Sequence, residues 1–439
     1  MTRAFAASLI IAAIIALVTG GWDSWLLASL LAMVPLFVLL ILLATRAGRE
    51  ALWARPLPIV PAALFLIAMS EAALQLVSFP PGLAHSAWGL LGDFRRAPIT
   101  MDVHATRIEL GKLAGLAAAF LVGVTAGRDS RNVSALITLA LGAGLAFALV
   151  LIVERGLTIA GVTQRLASEL ASPNIAATIL GSLGLMAIAS IVRTSKMSGE
   201  AEFLGFLPPM DKRTGLALVT LAVSLSALAL TASRGGVAAT LIGIAVFFVL
   251  ELAGRYRSPP PVPVPGAGLR GAVTWLVVAI VSALAVIMYG ELLFSRLATV
   301  DLLGHGRATI AAAHFRAFLQ APWLGHGFGS FESINNLYMP REDAKILATV
   351  GAAHNVYLQW LEEAGLIGAA AMFASVAIII WDIATGLTQR QHNRTWLRLA
   401  LALCALVAAH SYVEFTLNVY AAALLCAVFL GLFWSLARR

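Results

Sequence analysis

The chain has 439 residues, 60% of them hydrophobic and only 12% charged, with 30 Lys and Arg against 22 Asp and Glu for a formal charge of +8. A water-soluble domain of this size could not enclose so much apolar surface, whereas a bilayer solvates it. The composition therefore excludes a soluble enzyme, and the basic excess does not imply nucleic-acid binding, because the cations are distributed by membrane side.

Runs of about 18 or more apolar residues read as spanning helices, and about twelve follow one another here. They lie near 4–20, 25–45, 58–78, 108–126, 133–153, 175–192, 214–232, 235–253, 271–289, 364–385, 396–412 and 418–436. The first run meets the next almost at once, with no small-residue cleavage site before a polar start, so it reads as a retained span and not a signal peptide. Cys404 and Cys426 both fall inside spans, which argues against a disulfide framework or a metal-thiolate site. The expected fold is all-α: a polytopic membrane protein of about 12 transmembrane helices with one large outer loop.

With both termini cytoplasmic, most Lys and Arg residues fall on the inner side, as the positive-inside bias requires. These include Arg46, Lys196, Arg255 and Arg398, for which topology and lipid-headgroup contact are a sufficient account. The bias does not explain the outer cations Arg95, Arg96, Arg107, Lys112, Arg155, Arg165, Arg234, Arg296, Arg307, Arg316, Arg341 and Lys345. Some belong in solvated loops. Others need an anionic partner.

Three segments follow from this layout: spans one to nine over 1–289, a large loop over 290–363, and the last three spans over 364–439. The inner stretch 254–270 contains Pro259, Pro260, Pro261, Pro263 and Pro265 and reads as a stiff extended linker. Within the large loop, Gly306–Gln320 has helical periodicity with Ile310, Phe315, Phe318 and Leu319 as its apolar members. Ala321–Pro322 ends that helix and Gly325–His326–Gly327–Phe328–Gly329 reads as a flexible turn. A further helix starts near His354 or Asn355 and runs into the tenth span. Loops beyond about 15 residues inside a compact fold are usually functional.

Three positions meet on the outer face under this topology. Arg234, in Thr231–Ala232–Ser233–Arg234–Gly235–Gly236, ends the seventh span in a tight hairpin whose glycines allow the turn and a close backbone approach to a ligand. Arg307 opens the loop helix. His354 stands at the mouth of the tenth span, where an ionisable group is costly and tends to mark a reaction or transport site. Each has an ordinary reading: a snorkelling arginine, a solvated charge on an amphipathic helix, a hydrogen-bonded interfacial histidine. His305, His314, His326 and His354 share one loop, but their spacing matches no compact metal motif. Glu362–Glu363, or Glu332 with Glu342 and Asp343, could form a carboxylate pair for glycosyl chemistry, but they read as solvated.

Four stretches together resemble the O-antigen ligase and polymerase superfamily of bacterial envelope glycosyltransferases, the ligases most closely. They are Thr231–Gly236; Gly306–Arg307 with Ala321–Phe331; His354–Asn355–Val356–Tyr357 through Gly365 to Gly368; and Ser172–Pro173–Asn174 entering the sixth span. The departures are the small and aliphatic Ala308–Ala313 after the loop arginine, and His326 where many relatives have a small apolar residue.

The resemblance implies a GT-C-like enzyme of the bacterial inner membrane with its active site facing the periplasm. It implies transfer of a preassembled glycan from undecaprenyl diphosphate to a sugar hydroxyl of lipid A–core, without metal or cofactor. It also implies His354, Arg234 and Arg307 as the essential residues. An activated donor outside the cytoplasm must carry its own leaving group, and guanidiniums suit its phosphate oxygens. A histidine would take the proton of the attacking hydroxyl, and direct displacement would invert the anomeric carbon. Arg155, Arg165, Asn174, Asn355 and Tyr357 are the expected substrate-binding residues. An O-antigen polymerase or a protein O-oligosaccharyltransferase would share the donor. A polyprenyl-lipid flippase or transporter would instead place its charges near the bilayer midplane.

Overall fold

The structure is a computed structural model that describes residues 1–19, 25–54, 56–93, 95–157, 172–197, 211–256, 301–390 and 392–438. In chain order the helices are α1 (Thr2–Val18), α2 (Trp25–Ala44), α3 (Arg46–Trp53), α4 (Ile59–Gln75), α5 (Val103–Gly127), α6 (Ser130–Leu157), α7 (Pro173–Met197) and α8 (Lys212–Leu230). They continue with α9 (Arg234–Tyr256), α10 (Asp301–Gln320), α11 (Phe331–Tyr338), α12 (Ala344–Leu347), α13 (Val356–Gln389), α14 (Arg394–Ser411) and α15 (Tyr420–Ala437). A two-residue antiparallel pairing of β1 (Ser78–Phe79) with β2 (Ala97–Pro98) is the only sheet among the described residues.

Eight of the described helices are long and apolar enough to cross a membrane, and α1 and α4 are shorter apolar helices. Every apolar run expected from the sequence that falls on described residues coincides with a helix; the run at 271–289 and the linker around Pro259–Pro265 lie outside them.

Lipid gives helices no hydrophobic reason to associate, so close backbone approach has to supply the attraction. The α5–α15 contact does this. Gly123 and Gly127 lie one turn apart on α5, and a Cβ on either would overlap the carbonyls of Val428 and Leu432; Gly431 meets Phe120 in the same way from α15. Toward the same end of the bundle the cations are not all lipid-facing, contrary to the sequence reading. Arg398 is 6% exposed and bonds the buried Glu251 at 2.5 Å, and Lys196 pairs with the same carboxylate. A buried carboxylate leaves cations no cheaper partner than itself.

The decisive irregularity is in α13. Gly365 has φ 60° and ψ −173°, so the helix breaks there, one turn after Glu362. The segment Pro322–Gly329 fills the break. His326 and Gly327 donate their backbone N–H groups to the freed carbonyls of Glu362 and Glu363 at 2.9 and 3.0 Å, and Leu366 donates to Pro322 at 2.8 Å. Gln75, fully buried on α4, donates to the Leu324 and Glu363 carbonyls and accepts from Phe328 N–H at 3.0 Å. The expected flexible turn is therefore a buried, hydrogen-bonded plug. Its glycines serve positive φ at 325, 327 and 329 and contact with the broken helix, not mobility.

Two further expectations are corrected. The buried face of α10 is Ile310, Ala313, His314 and Ala317, while Phe315 and Leu319 are 50% and 54% exposed. Glu362 and Glu363, read as solvated, are 0% and 7% exposed. His314 Nδ1 lies 2.7 Å from Glu362 Oε1, which joins α10 to α13.

Candidate active site

Asn355 caps α13 by accepting the Leu358 N–H at 3.1 Å. That cap ends the helix one residue after His354 and leaves the histidine outside it with φ 50°. Such a conformation costs of the order of 1 kcal/mol for a residue with a Cβ and persists only where its surroundings hold it. The imidazole is held against the edge of Phe415, with centroids 5.1 Å apart and planes at 74°. Its Nδ1 lies 3.1 Å from Oε1 of Glu414.

Glu414 is the hub. It sits in the short link between α14 and α15 and is 0% exposed. Oε1 takes His354 and the Phe415 N–H at 3.1 Å; Oε2 takes the Asn174 amide and, at 3.9 Å, the Arg307 guanidinium. Burial alone would raise its pKa. The hydrogen bond and charge of His354, the Phe415 N–H and the charge of Arg307 outweigh that and hold the carboxyl below its usual range. An ionised carboxylate only accepts, so His354 Nδ1 carries a proton, and whenever the ring is neutral it is Nε2 that presents the lone pair. The ring is 29% exposed and Arg307 is 46% exposed, so both can meet a ligand.

Arg234 is the first residue of α9. The turn before it is made at Ala232, with φ 48°, and not by the glycines as the sequence suggested. Gly235 and Gly236 lie inside the helix, where lack of a side chain lets it press on its neighbours. A Cβ at 235 would come within 3.0 Å of Val413 and 3.2 Å of His410 Nε2, and one at 236 would overlap Ala177 of α7. The Arg234 backbone is thereby packed on the residues that lead into Glu414 and on the helix that carries Asn174. Ser233 Oγ accepts the Gly236 N–H at 3.2 Å and caps α9.

The structure thus brings His354, Arg307 and Asn174 onto one carboxylate and sets Arg234 beside the same turn. Asn355 and Tyr357 are engaged structurally: one caps α13, and the other donates its hydroxyl to the Ala408 carbonyl at 2.9 Å. The Arg155 side chain and all of Arg165 lie outside the described residues. The described histidines of the large loop diverge: His314 goes to Glu362, His326 to His85 and the Ala317 carbonyl, and His354 to Glu414. The His305 side chain lies outside the described residues, and among those no group of three or more His, Cys, Asp or Glu could hold a metal ion.

Sequence reasoning missed Glu414 and His410. His410 is 1% exposed, with Nδ1 2.6 Å from Thr178 Oγ1, which lies 2.9 Å from Thr416 Oγ1. The signal was present: a carboxylate in the short link between two apolar runs is the same costly placement that singled out His354. From that link Asn418 donates to Gln359 at 2.6 Å, and Gln359 donates to Glu363 at 3.0 Å, so the site connects through side chains to the plug at Gly365.

Fold and site together define a multi-pass helical membrane protein with a polar, charge-lined centre at one end of its bundle. Residues 219–373, about a third of the chain, match the family model described as O-antigen ligase. The matched span holds Arg234, Arg307 and His354, whereas Asn174 and Glu414 lie outside it. No curated protein matches the chain.

Proposed function

We propose that the chain transfers a preassembled glycan from undecaprenyl diphosphate to a sugar hydroxyl of lipid A–core, at the periplasmic face of the bacterial inner membrane. The observation that carries this reading is the convergence of His354 and Arg307 on the buried Glu414. Glu414 orients His354 and fixes its tautomer, so that Nε2 takes the proton of the acceptor hydroxyl as it attacks the anomeric carbon. That step typically contributes roughly 10²–10⁴ in rate. The glycosidic bond to the diphosphate breaks as the new one forms, with inversion. Arg307 and Arg234 receive the charge that develops on the leaving oxygens, each a term of about 3–4 kcal/mol when well placed. The first turn of α9 adds its positive dipole end to the same region. No step calls on a metal or cofactor.

The test is transfer in proteoliposomes containing purified protein, undecaprenyl-diphosphate glycan and core lipopolysaccharide, with chelator present. High-molecular-weight lipopolysaccharide forms with the parent protein and not with His354→Ala. Retained transfer by His354→Ala removes the general-base role. Elongation of the donor glycan in place of acceptor modification identifies a polymerase, and product only with added divalent metal contradicts the metal-free mechanism.

A further inference from the structure

A groove of about 470 Å³ runs between α4 and α5, away from the Glu414 centre. Met69, Ser70 and Ala73 form one wall, Leu110, Gly111 and Ala114 the other, and Arg107 is the single charged residue that lines it. The volume lies within the range of small-ligand sites, about 300–1,000 Å³. Arg107 occupies the second turn of α5, whose N-terminus Asp102 caps by accepting the Ala105 N–H at 2.9 Å. Gly111 and Ala114 follow one and two turns deeper along the helix. The cation therefore sits at one end of an open groove, and its walls continue along the surface between the two helices.

This end of the groove is the one nearer the plug, since a Cβ on Gly329 would lie 3.2 Å from Ala105 and 2.8 Å from Glu109. Arg107 is exposed and makes no hydrogen bond or ion pair with any described residue. The nearest acid on its own helix, Glu109, is taken by Lys112 at 2.5 Å. Gly111 sits mid-helix, where it costs about 1 kcal/mol relative to alanine. A Cβ added there meets no atom within 4 Å, so the position leaves open the space that forms the groove.

We infer that this groove seats one anionic phospholipid of the bilayer, with its phosphate on Arg107 and an acyl chain along Gly111 and Ala114. Charge complementarity selects the occupant: an unpaired guanidinium at one end of a mostly apolar groove suits a molecule with a negative head and a hydrocarbon tail. The inference does not depend on the glycan-transfer reading.

Native mass spectrometry of the delipidated full chain, titrated with phosphatidylglycerol or phosphatidylcholine, tests it. The parent protein binds one phosphatidylglycerol in preference to phosphatidylcholine. Arg107→Gln loses that preference, roughly fivefold in affinity. Gly111→Leu, which fills open space without a clash, loses retention of both lipids. Arg107→Gln lies on an exposed side chain and leaves the fold intact, which a monodisperse elution profile verifies. Unchanged phosphatidylglycerol preference in Arg107→Gln, or unchanged retention in Gly111→Leu, overturns the assignment.

Discussion

Nδ1 of His354 and Oε1 of Glu414 stand 3.1 Å apart although 60 positions separate them in the chain. Glu414→Gln keeps the shape but offers an amide in place of an ionised acceptor, so the imidazole is no longer held in the tautomer that exposes Nε2. Single-turnover transfer in proteoliposomes falls by roughly 10²–10⁴. A loss below threefold would mean that Glu414 is a structural carboxylate only.

Arg307→Ala lowers the same rate by roughly 10²–10³, the usual effect of removing one preorganised donor. Arg307→Lys restores only part of it, because an ammonium is a point charge where a guanidinium binds two oxygens at once. Equal rates for Arg307→Lys and the parent would show that charge without geometry suffices.

Gly365→Ala is destabilising by more than about 2 kcal/mol, since it combines a positive φ with a Cβ driven into the Trp323 carbonyl. Thermal unfolding in detergent reads this as a lowered Tm. Gly111→Ala, which meets open space, leaves Tm unchanged or raised. Matching Tm values for the two variants would contradict the packing described at the break.

Acid weakens the plug. His85 Nε2 lies 2.7 Å from His326 Nδ1, while His326 Nε2 donates to the Ala317 carbonyl at 2.8 Å and the Ala87 N–H donates to His85 Nδ1 at 3.1 Å. Every ring nitrogen is thus used in the doubly neutral form. Burial, with His326 nearby, pushes His85 from 6.5 down to about 4, and burial lowers His326 despite the bond to Ala317. The unfolded chain binds these protons more readily, so the stability is present above pH 6.5 and is lost as pH falls toward about 4. The loss is of the order of 1–3 kcal/mol. His85→Gln, which keeps a donor for His326, flattens the Tm profile across that window. An unaltered slope would assign the acid sensitivity elsewhere.

Periodicity made the helices legible, because a bilayer imposes one length and one polarity on each span. Arg234, Arg307 and His354 stood out for the same reason, as charges in places where charge is expensive. Glu414 and His410 were passed over because each lies at the end of a short apolar run, and only the pairing of α14 with α7 and α9 shows what they face. The plug was misread because glycines signal both looseness and tight packing. Sequence does not distinguish the two until Gln75, Thr100 and Gly365 are seen around them.

The seam at Gly365 has a mechanical consequence for the arginine helix. Withdrawing Pro322–Gly329 would strand the carbonyls of Glu362 and Glu363 in a poorly hydrated interior, at about 1–3 kcal/mol for each orphaned group. α10 is therefore riveted to α13 at its C-terminal end as well as through His314 and Glu362, and any swing of Arg307 turns about His314 as the nearer fulcrum. Arg307 rides some seven residues out from His314, roughly 10 Å from that pivot, so a tilt of a few degrees carries the guanidinium by about half an ångström or more while His354 and Glu414 stay in place.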